Sequence, residues 1–227
     1  MTSTVEAAYA TVRGRIEEAC RRAGRSSESV RLVAVSKTFP PATIRELLEL
    51  GHGLFGENRV QEALPKMDLL GPAVRWHLVG HLQTNKVRQI IGRFELIHSV
   101  DSEKLAREIQ RRAEFAGTRQ PVLLQVNVAE EETKFGVIEE AVLPLVESIA
   151  RMEHVDLRGL MTIPPPVEDP EAARGWFADL RELRDRCAER SGLALSELSM
   201  GMTDDFEVAI EEGATLVRVG RAIFGER

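Results

Sequence analysis

Three side chains sit where ordinary packing does not call for them. Lys37 closes the run Arg31-Leu32-Val33-Ala34-Val35-Ser36-Lys37, which otherwise reads as a buried strand. An ammonium at the end of an apolar strand must find a partner, reach water or lose its charge. It either snorkels into solvent or serves as the amine that forms Schiff bases with aldehydes. Arg218 interrupts a second apolar run, Leu216-Val217-Arg218-Val219-Gly220-Arg221. A permanently charged guanidinium there needs a carboxylate, a phosphate or a ring nitrogen; a structural salt bridge and a ligand contact both satisfy it. Gly220 permits close backbone approach. The third position is Thr203, in Ser199-Met200-Gly201-Met202-Thr203-Asp204-Asp205, which joins a strand to a helix with Thr203 as the expected N-cap. Backbone N–H groups at such a turn can hold an anion, or the turn is ordinary capping with Asp204 and Asp205 set against the helix dipole.

These groups have to be positioned by strands. Short apolar runs recur at Leu32–Ser36, Leu54–Gly56, Trp76–Val79, Leu96–Val100, Val122–Val128, Leu157–Ile163, Glu197–Met200 and Leu216–Val219. Segments with spacing near 3.6 lie between them, among them Ala42–Leu50, Ser102–Phe115, Glu139–Arg151 and Ala172–Arg190. Strands apolar on both faces with helical crossovers predict a parallel α/β sheet. Eight such units in 227 residues favour a single (β/α)8 barrel over 1–227, with an extra helix at Thr4–Ala23; an open doubly wound sheet is the alternative. A barrel puts its active face at the carboxyl ends of the strands, where Lys37 falls. Val33, Val35 and Lys37 share one face by alternation, so the lysine can rise from the barrel interior.

Barrels often hold phosphate on the loops after strands seven and eight, the places of the Thr203 and Gly220 segments. An amine on the first strand, a phosphate cradle and a buried cation on the last two match the aldehyde, phosphate and pyridine nitrogen of pyridoxal phosphate. Asn58, in Phe55-Gly56-Glu57-Asn58, and His81, in Trp76-His77-Leu78-Val79-Gly80-His81, are expected to reach the same side, unless they cap or terminate loops. His77 and His81 have a spacing that suits a metal only on one helix face. His77 belongs to a strand, so no metal site is expected. No phosphate-binding Gly-Lys-Ser/Thr loop and no serine-nucleophile elbow is present.

The bulk properties exclude other classes. Hydrophobic residues make up 43% and charged residues 29%, and the formal charge of −6 is spread without a basic block. Nucleic acid and anionic membrane are therefore not expected partners. Cys20 and Cys187 lack metal-type spacing and fit thiols of a reducing compartment. The sequence as given shows no signal peptide and no apolar run of the ~20 residues that span a bilayer, so a cytoplasmic protein is expected.

The motifs Val35-Ser36-Lys37, Phe55-Gly56-Glu57-Asn58, Trp76-His77-Leu78-Val79-Gly80-His81-Leu82-Gln83-Thr84-Asn85-Lys86, Gly159-Leu160-Met161, Leu198-Ser199-Met200-Gly201-Met202-Thr203-x-Asp205 and Arg218-Val219-Gly220-x-Ala222-Ile223-Phe224-Gly225 cover nearly the whole chain in order. Together they resemble the pyridoxal phosphate homeostasis (YggS-like) family, whose barrel is related to the N-terminal domain of alanine racemase. The resemblance implies a pyridoxal 5'-phosphate aldimine on Lys37 and phosphate contacts from Thr203 and the Gly220–Arg221 backbone. It also implies Arg218 facing the pyridine nitrogen, with Asn58, His81, Ser199 and Met200 at matching motif positions. Thr203 stands where serine is more usual, and Arg221 where threonine often is.

The resemblance further implies a carrier of pyridoxal phosphate rather than a robust enzyme. It would buffer or supply the cofactor, with pyridoxal-phosphate-dependent apoenzymes as partners. Two sequence features agree. The single tyrosine, Tyr9, lies in the first helix and not opposite Lys37, and no residues follow the eighth strand to build the second domain that closes racemase sites. The same lack favours a monomer. A low-activity racemase using Lys37 as base, and a sugar-phosphate aldolase or isomerase using Lys37 on a carbonyl, are the competing readings.

Overall fold

The computed structural model describes residues 4–131 and 134–225; residues 1–3, 132–133 and 226–227 lie outside it. Eight parallel strands close in sequence order into a barrel. They are β1 (Arg31–Val35), β2 (Leu54–Glu57), β3 (Arg75–Leu78), β4 (Leu96–Val100), β5 (Gln120–Val126), β6 (Val155–Thr162), β7 (Glu197–Ser199) and β8 (Leu216–Val219). Closure is made by β1 against β8, with Val33 opposite Arg218. Around the barrel run α1 (Thr4–Arg22), α2 (Pro41–Glu49), α3 (Val60–Leu70), α4 (Glu103–Phe115), α5 (Glu139–Ile149), α6 (Arg174–Ser191), α7 (Phe206–Glu211) and α8 (Arg221–Phe224). The expected barrel and its extra first helix are present. Among the described residues no helix is long and apolar enough to cross a membrane.

Alternation along each strand sorts side chains into two cores. Outward-facing residues such as Leu32, Ala34, Phe55, Trp76, Leu78, Ile97 and Leu198 pack against the helices. Inward-facing Val33, Val35, Leu54, Val79, Leu96, Leu123, Met161 and Leu216 fill the barrel. The strands read as continuous apolar runs because both of their faces are buried.

Two expectations are corrected. The crossover between β3 and β4 carries a 3-10 helix, Thr84–Gln89, rather than an α-helix. Its one buried residue is Val87, whose carbonyl accepts from the N–H of Ile90, the residue that closes the helix three positions on, and Gly92 (φ 74) follows. Strands β5 and β6 begin two residues earlier than their apolar runs, because Gln120 pairs with Val155. β5 ends where the Asn127 side chain binds the backbone of Glu131 and turns the chain. Midway along β6 the register shifts beside Gly159 (φ 157), whose missing Cβ would fall 1.8 Å from the Glu197 carbonyl oxygen. Only glycine fits there.

Candidate functional site

A cavity of ≈ 290 Å³ opens at the carboxyl end of the barrel. Lys37, Asn58, Thr203, Arg218, Gly220 and Arg221 line it, with Val35, Phe39, Val79, Ile163 and Met202 as apolar wall. The volume lies near the lower end of the roughly 300–1,000 Å³ usual for small-molecule sites, and the mixed lining is typical of them.

Lys37 lies two residues past the end of β1 and is only partly exposed. Its neighbours fix its place. The Ser36 carbonyl accepts a 2.8 Å hydrogen bond from Lys66 Nζ. The Ser36 hydroxyl donates to Glu57 Oε1 at 2.7 Å, and Lys66 Nζ donates to that same oxygen at 2.6 Å. Ser36 and Lys37 thus point to opposite sides of the strand, as alternation requires. Burial outweighs the Lys66 ammonium and raises the Glu57 carboxyl above its ordinary range. On the other side of Lys37, Thr38 adopts φ 70, uncommon for a residue with a β-branched side chain, and turns the chain toward α2. Phe39 packs on Phe224 with ring centroids 5.0 Å apart.

Arg218 rises from β8 into the cavity floor and is 4% exposed. Its guanidinium donates to Ser199 Oγ (2.6 Å) and to the Thr162 carbonyl (2.8 Å). Burial draws its pKa down to about 10, opposed by the charge of Asp205; it is still a cation at neutral pH. Ser199 Oγ lies 2.8 Å from His98 Nδ1, and His98 Nε2 lies 2.9 Å from His77 Nδ1. Both imidazoles are wholly buried, which lowers their pKa values; Glu95 partly offsets this for His77.

The segment after β7 departs from expectation. Thr203 lines the cavity but is not the cap of α7; Asp205 is the residue before that helix. The Asp205 carboxylate accepts from the Met202 N–H at 2.6 Å and so shapes the turn; its burial raises its pKa. Gly201 (φ 89) lets the turn pack onto α7, where a Cβ would meet Ala209 at 2.6 Å and Phe206 Cα at 2.9 Å. Beyond β8, the first N–H groups of α8 have no intrahelical acceptor, and Gly220 and Arg221 border the cavity there. Arg221 pairs with Asp204 across the mouth.

Six of the nine expected site residues share this cavity. Ser199 lies beneath it and reaches it through Arg218. Met200 points the other way and is buried between barrel and helices, because alternation from inward-facing Ser199 sends it outward. His81 lines a neighbouring groove of ≈ 620 Å³ that shares only Asn58 with the cavity. Its ring stacks on Phe135 with centroids 3.8 Å apart and lies 3.3 Å from Asp101. The backbone at Gly80 passes so close to Asn58 that a Cβ would fall 2.3 Å from the Asn58 carbonyl oxygen, and the chain then leaves the cavity. His77 and His81 therefore serve separate regions. Residues missed from sequence are Glu57, Lys66 and His98. His98 carried the signal that exposed Arg218, a polar residue inside the apolar run Leu96–Val100.

Comparison with known proteins follows the same lines. Residues 11–227 match the family model of the alanine racemase N-terminal domain. The pyridoxal phosphate homeostasis protein of Aquifex aeolicus is 51% identical over 94% of this chain and 94% of its own length. This chain belongs to the pyridoxal phosphate homeostasis protein family. Among solved structures, an uncharacterised protein from Bifidobacterium adolescentis superposes on this family member with TM-score 0.92 at 37% identity, over 97% of this chain and 94% of that one. The structure of PipY from Synechococcus elongatus PCC7942 with PLP bound is 37% identical, with TM-score 0.83, over 93% of this chain and 100% of that one.

Proposed function

We propose that the protein holds pyridoxal 5'-phosphate through a Schiff-base tether on Lys37 and buffers or supplies it without robust catalysis. The observation that carries this reading is one small cavity that joins a strand-end lysine to a buried arginine whose guanidinium donates to a hydroxyl and a carbonyl. The donor set fits the group: an amine for the aldehyde, Thr203 and the first turn of α8 for the phosphate, and Arg218 for the ring nitrogen. The relatives named for pyridoxal phosphate homeostasis and PipY with PLP bound support it.

When bound, pyridoxal phosphate supplies an electrophilic aldehyde and an electron-accepting ring. The residues here temper the second property. Arg218 stays protonated and can only donate, so it would hold the ring nitrogen as an acceptor and weaken the electron sink. Asp204 is the one carboxylate among the described residues lining the cavity, and Arg221 engages it. Tyr9 is remote from the cavity, with its hydroxyl 3.4 Å from His52 Nδ1. A racemase would need a second acid or base poised opposite Lys37; this lining favours a carrier. We take residues 1–227 as one binding unit, acting as a cytoplasmic monomer on pyridoxal-phosphate-dependent apoenzymes.

The test is spectroscopic. Purified protein with pyridoxal phosphate is expected to show a visible absorption band that borohydride fixes covalently, and Lys37→Ala is expected to abolish both. A variant that retains the band removes Lys37 as the tether. Exchange of an amino-acid α-proton in deuterium oxide at turnover rates would replace the carrier by an enzyme.

A further inference from the structure

The hydrogen bonds beneath the cavity form a line through the barrel whose polarity can be derived. At its upper end Arg218 can only donate, and it donates to Ser199 Oγ. At its lower end Glu95 Oε1 stands 3.8 Å from His77 Nε2, a nitrogen that is buried and has no hydrogen-bond partner. An ionised carboxylate can only accept. Between these ends lie one hydroxyl and two imidazoles, joined at 2.8 and 2.9 Å. With both rings neutral, one assignment gives every link a donor and an acceptor. The Ser199 hydroxyl donates to His98 Nδ1, His98 Nε2–H donates to His77 Nδ1, and His77 Nε2–H faces Glu95. The reverse assignment turns a bare His77 lone pair toward the carboxylate and leaves the Ser199 hydrogen without an acceptor along the line.

We propose that His98, backed by His77 and Glu95, is the positioning residue for Arg218. By accepting the Ser199 hydrogen, it turns the hydroxyl lone pairs toward the guanidinium. Thr162 O holds the second guanidinium nitrogen, so two opposed anchors fix the plane of Arg218. The remaining N–H groups then meet the cavity at a set angle before any ligand arrives, and less ordering is left to binding. The chain spans β8, β7, β4 and β3, which also explains polar residues at four inward positions that would otherwise be apolar. Its link to cofactor affinity rests on the function proposed above; its polarity and its hold on Arg218 do not.

Two measurements test it, and the first needs no cofactor. Nitrogen-15 NMR of the cofactor-free protein at neutral pH is expected to show His98 and His77 both as neutral Nε2–H tautomers. In Ser199→Ala and His98→Leu, hydrogen exchange at the Arg218 guanidinium is expected to quicken by at least tenfold. Either ring as the Nδ1–H tautomer, or unchanged exchange in a folded Ser199→Ala protein, overturns the proposal. The second is a double-mutant cycle on pyridoxal phosphate affinity. Ser199→Ala alone is expected to weaken binding about tenfold, the size of one hydrogen bond's contribution. In the Arg218→Met background it should change affinity by less than about twofold. Additive effects mean that Ser199 and His98 do not act through Arg218. Wild-type protein that does not bind the cofactor at all refutes the proposed function, while the NMR measurement still decides whether Arg218 is held this way.

Discussion

Two buried polar clusters flank the strand that leads to Lys37, and they solve the same electrostatic problem in opposite ways. Outside the barrel, Glu57 and Lys66 face one another at 2.6 Å, and Ser36 ties both to β1. Each charge there is met by its opposite. Inside the barrel, Arg218 is just as deeply buried, yet its hydrogen bonds go to a hydroxyl and a carbonyl, with two neutral imidazoles behind. A buried charge cancelled on the spot is a brace. A buried charge held by neutral dipoles at the floor of a cavity keeps its field available to a ligand. The outer cluster should therefore matter mainly to folding and the inner one mainly to binding.

The largest expected effect breaks the brace. Lys66→Met leaves Glu57 buried with no opposite charge and should cost about 3–5 kcal/mol in urea unfolding. Replacing Glu57 by leucine in the same chain should restore most of it, since neither charge then remains. A single-variant cost below about 1 kcal/mol would show that the pair braces nothing.

Acid should pull the two regions apart. Burial holds His98 and His77 below the ordinary histidine value, and His52, buried near the amino end of β2, falls to about 4. A histidine that stays neutral when folded but charges near pH 6.5 when unfolded stabilises the protein fully above pH 6.5, and that stability is lost as pH falls. For His52 the window runs from 6.5 to about 4 and amounts to about 3 kcal/mol. Glu57 has the opposite sign. Its folded pKa is raised, so the native state takes up its proton first and gains stability as pH falls toward the unfolded carboxyl value. Unfolding free energies from pH 8 to 4 should thus fall less steeply in His52→Gln and more steeply in Glu57→Gln. The same slope in both variants would mean that the assigned charge states are wrong.

The inner cluster is tested by Arg218→Met. Removing the cation strands a hydroxyl and a carbonyl but no charge, so stability should change by no more than about 1–2 kcal/mol. Affinity for pyridoxal phosphate should fall at least tenfold in a spectroscopic titration. Loss of folding with retained affinity would invert the comparison.

The two clusters also differ in how far sequence reveals them. Strand positions were readable because both faces are buried, and Lys37 and Arg218 stood out as charges inside such runs. His98 stood out equally, in Leu-Ile-His-Ser-Val, and only its partners were invisible, since Ser199 lies 101 residues away. Glu57 and Lys66 gave no signal: one ends a strand, the other occupies a helix where lysine is ordinary, and only the packing of α3 on β2 buries them. Thr203 reads as a cap from sequence, but Asp205 takes that place because the turn is governed by Gly201 and by the Asp205 carboxylate, which reaches back to the Met202 N–H. The chain turns at Gly80, a close approach that no spacing rule encodes, and so His81 lines the adjoining groove that shares Asn58 with the cavity. Alternation carried one residue past Ser199 turns the Met200 side chain outward, as the structure has it.

The smallest expected effect separates the two sides of a single strand. Ser36 precedes Lys37, but its hydroxyl belongs to the outer cluster, where it donates to Glu57 Oε1. Ser36→Ala removes that bond and leaves the Lys66 bond to the Ser36 carbonyl, so the peptide leading into Lys37 stays anchored. The cost should be about 1 kcal/mol of stability, with pyridoxal phosphate affinity within about twofold of wild type. Parallel unfolding and titration on this variant read the two quantities separately. An affinity loss as large as that of Arg218→Met would mean that the outer cluster also governs the ligand, and that the barrel wall does not divide bracing from binding.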